Sequence, residues 1–299
     1  MRRVGSLVVT MLLGALVVGF GGAAATAGSQ PVGEAAPTLV AAGDIATCED
    51  DADEATALLL DQITGTVATL GDHVYDDGTP REFADCYDPT WGRHKARTRP
   101  APGNHDYETR GARGYFGYFG EAAGHPRRGY YSYDLGAWHV VALNSNCDAT
   151  DDCAAGSDQE RWLRADLAAH PAACTLAYWH HPRFSSGEHG NAEAMEPIWL
   201  ALYEAEADVV LSGHDHLYER FAPQNPRGEA DPDRGIAEFV VGTGGKDLYG
   251  FERAQPNSEV RNNDTFGVLK LTLHPSGYDW EFVPVAGGTF HDAGSRRCH

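Results

Sequence analysis

The chain has 299 residues, 42% of them hydrophobic and 22% charged, with a formal net charge of −20 at pH 7. Such a surface repels nucleic acid and anionic membrane, so a polyanion-tracking role is excluded. Small phosphates stay open, because a bound cation would dominate its local field.

Arg2 and Arg3 precede an apolar run from Val4 to Phe20, and small residues follow as far as Ala25-Thr26-Ala27. That is the pattern of a cleavable signal peptide. A membrane anchor is the competing reading, since the run approaches spanning length, but its glycines and small-residue end favour cleavage after Ala27. Residues 1–27 are thus expected to be a signal peptide, 28–36 a flexible leader and 37–299 a single domain without linker or repeat. The expectation is a secreted, extracellular protein with no membrane association after cleavage.

Thr38 to Ala42 reads as a strand ending at Gly43-Asp44. Ala52 to Ile63 has helical spacing, and Val67 to Leu70 is a second strand ending at Gly71-Asp72. Residues 80–96 read as irregular to helical, burying Phe83, Tyr87 and Trp91. Pro100 and Pro102 exclude helix before Gly103-Asn104-His105-Asp106. Residues 111–129, rich in glycine and aromatics, read as a partly ordered loop over a site. Within it, the aromatics at 115–119 suit core better than a substrate platform. Tyr130 to Tyr133 and Trp138 to Leu143 form a hairpin, and Ser157 with Glu160 signals a helix start. Cys174 to Trp179 is the strand that delivers His180. A helix over 193–205 precedes the strand Ala207 to Ser212, and the runs 236–241, 266–273 and 280–285 are strands. Mixed β-α order first and antiparallel strands later predict two packed mixed sheets with helices outside.

The cysteines at 48, 86, 147, 153, 174 and 298 are an even set without any C-x-x-C pair, which points to disulfides. Cys147 and Cys153 flank a short acidic loop and are the easiest pair to close. Cys48 with Cys86 and Cys174 with Cys298 follow by elimination.

Five polar clusters stand where hydrophobic runs stop, and the last, Gly213-His214-Asp215-His216, organises the rest. Asp44 and Asp72 are hard oxygen donors, Asn104 offers an amide oxygen, and His180, His214 and His216 offer nitrogens. This mixed set suits two first-row ions such as iron, zinc or manganese better than calcium or magnesium. Two ions roughly 3.5–4 Å apart can clamp a phosphoryl group, with Asp72 the natural bridge.

The ordered motifs Gly-Asp, Gly-Asp-x-x-Tyr, Gly-Asn-His-Asp, His-x-Pro and Gly-His-x-His resemble those of the calcineurin-like metallophosphoesterases. Gly-Asp-x-x-Tyr and residues 213–220 narrow the resemblance to the purple acid phosphatase-like branch. It implies a four-layer α/β/β/α sandwich and a binuclear phosphoesterase that cleaves small phosphate monoesters through a metal-bound hydroxide. It also implies that Asp44, Asp72, Tyr75 and His216 bind Fe(III), while Asp72, Asn104, His180 and His214 bind a divalent zinc, iron or manganese ion. Many relatives carry Asp-x-His in the first motif. Here Ala46 stands at the third position, and Tyr75 would supply a phenolate instead.

By the same analogy, His105 is the candidate proton donor to the leaving oxygen, and His189 and His181 are candidates to meet the phosphate. Arg183 reads as a surface arginine and His73 as an exposed spacer. Tyr218 is expected to pack beside the metals, Glu219 and Arg220 to brace the loop, and residues 242–245 to form a turn near the site. The rival readings are a phosphodiesterase using the same metals, a degenerate metal- or phosphate-binding protein, and, more weakly, a cell-wall interaction module.

Overall fold

The computed structural model describes Met1, Gly5 and residues 35–150 and 152–299, so the rest of the expected signal peptide and most of the leader lie outside the described residues. Ala36–His299 form one compact unit. Thirteen described strands make two sheets. The first runs β13 (Ala293–Arg297), β12 (Gly277–Pro284), β11 (Gly267–His274), β1 (Thr38–Ala42), β2 (Thr66–Leu70), β3 (Thr98–Ala101). The second runs β10 (Ser258–Asn262), β8 (Tyr218–Phe221), β9 (Ala237–Val241), β7 (Val209–Ser212), β6 (Cys174–Tyr178), β5 (Trp138–Ala142), β4 (Tyr131–Leu135).

Parallel pairing joins β1, β2 and β3 on one side of the first sheet, ending at its edge, and β5, β6, β7 and β9 in the middle of the second. Strands buried on both faces read as the continuous Val/Leu/Ala runs seen here. In an open α/β sheet the loops at strand carboxyl ends build the site, and both parallel sets carry their polar clusters there. Register brings them level. Ala42 pairs with Thr69, and beyond the strands Asp44 N donates to the Gly71 carbonyl and Ile45 N to the Asp72 carbonyl.

One core fills the space between the sheets, where Leu39, Ala41, Leu176, Tyr178, Val209 and Leu211 meet. Buried tryptophan and tyrosine need polar partners, and two of them cross this layer. Trp138 Nε1 donates to the His274 carbonyl at 2.8 Å and Tyr178 Oη to the Arg99 carbonyl at 2.9 Å. A second core lies between the seven-stranded sheet and two helices, Asp158–Ala169 and Glu196–Glu204, which bury Leu163, Ile198, Trp199 and Leu202. Ser157 caps the first of these by accepting from Glu160 N. Helix Ala52–Gln62, with Ala57 and Leu60 buried, packs on the first sheet. These layers make the α/β/β/α sandwich. The disulfides are Cys48–Cys86, Cys147–Cys153 and Cys174–Cys298, as expected.

Four local expectations are corrected. Residues 111–129 are not a loop over the site: they contain helix Arg113–Phe119, whose Tyr115 and Phe119, one turn apart, enter the core. Gly114 disguised it, yet it is required there, because a Cβ would sit 2.0 Å from the Gly78 carbonyl oxygen. His73 is wholly buried among Phe83, Tyr87, Tyr115 and Phe119. Arg183 is buried as well, with its guanidinium paired to Glu193 at 3.0 Å. Tyr218 donates to Asp292 and packs on Phe282 and Phe290 rather than in the polar cluster.

Candidate metal centre

Asp44 follows β1, Asp72 and Tyr75 follow β2, Asn104 follows β3, His180 follows β6, and His214 and His216 follow β7. Seven side chains from five strand ends converge. The turns that aim them are strained: Asp44, Asp72 and His214 hold φ of 59°, 48° and 71°, a left-handed region uncommon outside glycine. Glycines give the acids room. A Cβ on Gly103 would stand 2.1 Å from Asp72 Oδ1, and one on Gly213 would stand 2.6 Å from Asp44 Oδ2.

Four of the candidate ligands have one atom fixed by backbone and another turned inward. Asp72 Oδ1 accepts from His105 N at 2.8 Å and Asp44 Oδ2 from His214 N at 2.9 Å. His180 Nδ1 donates to the Leu70 carbonyl and His216 Nδ1 to the Asp247 carbonyl, both at 2.8 Å, which leaves each Nε2 facing the cluster. Metal-binding histidines are oriented by such carbonyl contacts.

The inward atoms fall into two groups that share Asp72 Oδ2. On one side Tyr75 Oη lies 3.0 Å from Asp44 Oδ1, 3.1 Å from His216 Nε2 and 3.2 Å from Asp72 Oδ2. On the other, His180 Nε2 lies 2.9 Å from Asn104 Oδ1, 3.2 Å from His214 Nδ1 and 3.2 Å from Asp72 Oδ2.

The electrostatics ask for a cation. Asp44 and Asp72 are essentially inaccessible, and their ion-pair partners among the described residues are histidines, not lysine or arginine. Buried carboxylates without a fixed positive partner are costly. Burial opposes ionisation of Asp72, but His180, His105 and His214 outweigh it and hold its carboxyl below the usual range. Burial likewise opposes a charge on His180, and Asp72 and Asp44 push it up to about 9. Burial and the same two acids raise the Tyr75 phenol well above its ordinary value. Asp44, Asp72 and His180 could together hold an ion, as could His180, His181 and His214.

The remaining expected residues lie around this cluster. His105 packs on the Tyr75 ring at 4.4 Å, and its Nδ1 donates to the Asp76 carbonyl at 2.6 Å. The His189 ring lies 4.2 Å from that of His214, and its amide donates to Asp215 Oδ1 at 3.0 Å. His181 stands 4.4 Å from His214, with Nδ1 2.8 Å from Ser145 Oγ. Burial and the neighbouring His180 push its imidazole down to about 3. Residues 242–245 do turn beside the site, Gly244 N donating to the Gly43 carbonyl.

Sequence reasoning missed three contributors. Tyr249 packs on His216 at 4.5 Å and donates to the His214 carbonyl at 2.7 Å; Lys246 lies 5.1 Å over the Tyr75 ring. His73 Nδ1 lies 2.9 Å from Asp106 Oδ2, tying the Asp72 turn to the Asn104 turn. Only the last had a signal, a histidine and an acid each adjoining a candidate ligand motif.

Residues 37–218 match the Calcineurin-like phosphoesterase family. The chain belongs to that family. Within it, the similarity is to the purple acid phosphatases. Purple acid phosphatase 22 of Arabidopsis thaliana is 39% identical over 48% of this chain and 34% of its own length. Purple acid phosphatase 21 of the same plant is 32% identical over 64% of this chain and 48% of its own. The chain thus spans half or less of these relatives. The purple acid phosphatase PPD1 from yellow lupin (Lupinus luteus) seeds superposes with a TM-score of 0.67 at 20% identity, over 87% of this chain and 53% of that one, and supports the fold. Membership of this family implies a dinuclear metal centre, and the donor set described above fits one.

Proposed function

We propose that this calcineurin-like phosphoesterase is a secreted hydrolase of small phosphate monoesters that works with two metal ions. The single observation that carries the reading is Asp72 Oδ2, shared between the Tyr75 group and the His180 group at 3.2 Å each. Asp44, Asp72, Tyr75 and His216 would hold the Fe(III)-like ion, and Asp72, Asn104, His180 and His214 a divalent zinc, iron or manganese ion. Phenolate is a hard anionic donor, which suits a trivalent ion. When bound, such a pair neutralises phosphoryl oxygens and supplies a nucleophile near neutral pH.

The chain's own residues do the rest. Water oxygen forms a bond to phosphorus as the ester P–O bond breaks, and a proton must reach the departing alcohol oxygen. His105 suits that transfer. Its Nδ1–H is spent on the Asp76 carbonyl, so only Nε2 is left to give a proton. His189 and His181 flank His214 and would receive the ester's free oxygens. Secretion rests on the N-terminal sequence and on three disulfides, which persist in oxidising compartments. No helix among the described residues is long and apolar enough to cross a membrane.

The deciding experiment is metal analysis with a visible spectrum on protein purified without chelator, alongside turnover of matched aryl phosphate mono- and diesters. Two metals, a charge-transfer band lost in Tyr75→Phe and faster monoester cleavage are expected. Two metals with faster diester cleavage would make it a phosphodiesterase. Full occupancy without turnover would make it a binding protein.

A further inference from the structure

A cavity of about 480 Å³ opens directly beside the candidate centre, with Asn104 and His181 in its wall. Its other lining includes Tyr107, Met195, Glu108 and Asp148. Met195 is fully buried, whereas both carboxylates are exposed. Among the described residues, no lysine or arginine lines the space. The nearby Arg183 pairs with Glu193 instead. The polar groups of the inner wall are already engaged: Tyr107 Oη accepts from Asn144 Nδ2 at 2.8 Å, and His181 Nδ1 meets Ser145 Oγ. The two carboxylates are what the cavity offers a ligand, together with an aromatic ring and the small apolar surface of Ala149 and Ala194.

We infer that this cavity receives the alcohol portion of the ester and selects small cationic alcohols, the aminoalkyl phosphates, over esters whose alcohol carries a carboxylate. The inference rests on the phosphomonoesterase reading. An ester placed on the centre beside Asn104 can reach into the cavity with its alcohol. An alkyl stem would lie against Ala149 and Ala194, an ammonium group would meet Glu108 and Asp148, and the Tyr107 face would favour the same charge. An anionic alcohol would be repelled by both acids, and the overall charge of −20 adds to that repulsion. Exposed charge pairs act weakly, about two- to fivefold each, and are screened by salt.

The test compares 2-aminoethyl phosphate with carboxymethyl phosphate, a pair of similar length and opposite charge, and uses p-nitrophenyl phosphate as the reference ester. On metal-loaded protein at low salt, kcat/KM for the aminoethyl ester should exceed that for the carboxymethyl ester by about tenfold. Glu108→Gln with Asp148→Asn, at exposed positions, should collapse that ratio towards one while p-nitrophenyl phosphate turnover is retained. Calorimetric binding of the same two esters gives a readout independent of turnover. Equal binding, or a ratio unmoved by the double substitution, overturns the inference. Failure to cleave p-nitrophenyl phosphate overturns the phosphatase reading instead, and the binding preference still decides the cavity's role.

Discussion

His73 and Asp106 form a couple with no access to solvent, 2.9 Å apart, and Thr69 Oγ1 lies 2.7 Å from the other ring nitrogen. Asp106 Oδ2 also accepts from Gly103 N at 2.8 Å. One neighbour of this pair in sequence is Asp72 and another is His105, so the couple fixes the spacing between two ligand-bearing turns. Deleting one partner strands a polar group inside an aromatic cage. His73→Leu should cost about 3–5 kcal/mol, since breaking a buried pair leaves its partner uncompensated. Urea unfolding of metal-free protein would measure this without reference to activity. His73→Gln, which can still reach Asp106, should cost less. The phenol of Tyr75 acts at the same scale: it donates to Asp44 and Asp72 at 3.0 and 3.2 Å. Metal-free Tyr75→Phe should lose about 1–3 kcal/mol, because Asp44 Oδ1 and Asp72 Oδ2 then lose the phenol they share.

Between the strand that delivers His180 and helix Glu196–Glu204 runs a loop suspended from three buried acids. Glu238 accepts from the amides of Arg183 and Phe184, Glu219 from the amide and hydroxyl of Ser186, and Asp215 from Ser185 Oγ and the amide of His189. This is how a segment without regular structure keeps His189 over His214. Asp215→Ala should lower hydrogen-exchange protection at the His189 amide by about tenfold, the worth of one net hydrogen bond of about 1 kcal/mol and a little more. Unchanged protection would mean that the loop holds itself. Much of the element order was readable because buried parallel strands are uniform apolar runs and their polar ends stand out. The edge strands β10 and β13 were not, since Ser258–Asn262 and Ala293–Arg297 are mostly polar with no apolar alternation and are recognised only by the strands they pair with. The candidate ligands were readable from residue type and order alone. Glu219 was expected to brace a loop, but its partner Ser186 and the whole role of Glu238 were not readable, because both acids lie inside strands distant in sequence and only the fold brings them to Ser186 and Phe184.

The whole molecule is closed by Cys174–Cys298, which joins β6 to the last residues across a separation of 124. In the chain-entropy view such a loop contributes about 4–5 kcal/mol and the six-residue Cys147–Cys153 loop less. Cys174→Ser with Cys298→Ser should therefore lower Tm more than the equivalent Cys147/Cys153 pair. The pH dependence of stability has a source far from the metals. His139 is buried with Nδ1 2.9 Å from Asp134 and Nε2 2.9 Å from Asp166, while His170 stacks on it at 4.9 Å and Ser132 donates to Asp166. Burial lowers the pKa of His139, but hydrogen bonds to Asp166 and Asp134 outweigh it and raise the imidazole above its ordinary value. Burial raises Asp166, and His139 and Ser132 overcome it to give a net depression. A raised histidine contributes stability that is whole below its unfolded value of about 6.5 and is lost as pH rises through its folded value. A depressed aspartate contributes stability that is whole above about 3.9 and is lost as pH falls. Both are present together between about pH 4 and 6.5. Wild-type stability minus that of His139→Gln should therefore be largest in that window and decline on either side. On the alkaline side the slope should be no steeper than about 1.4 kcal/mol per pH unit, the limit for one proton. Chemical unfolding at a series of pH values measures the difference directly. A difference that is flat from pH 6 to 9 would mean that His139 is held neutral and that its two carboxylates do not act on it as a pair.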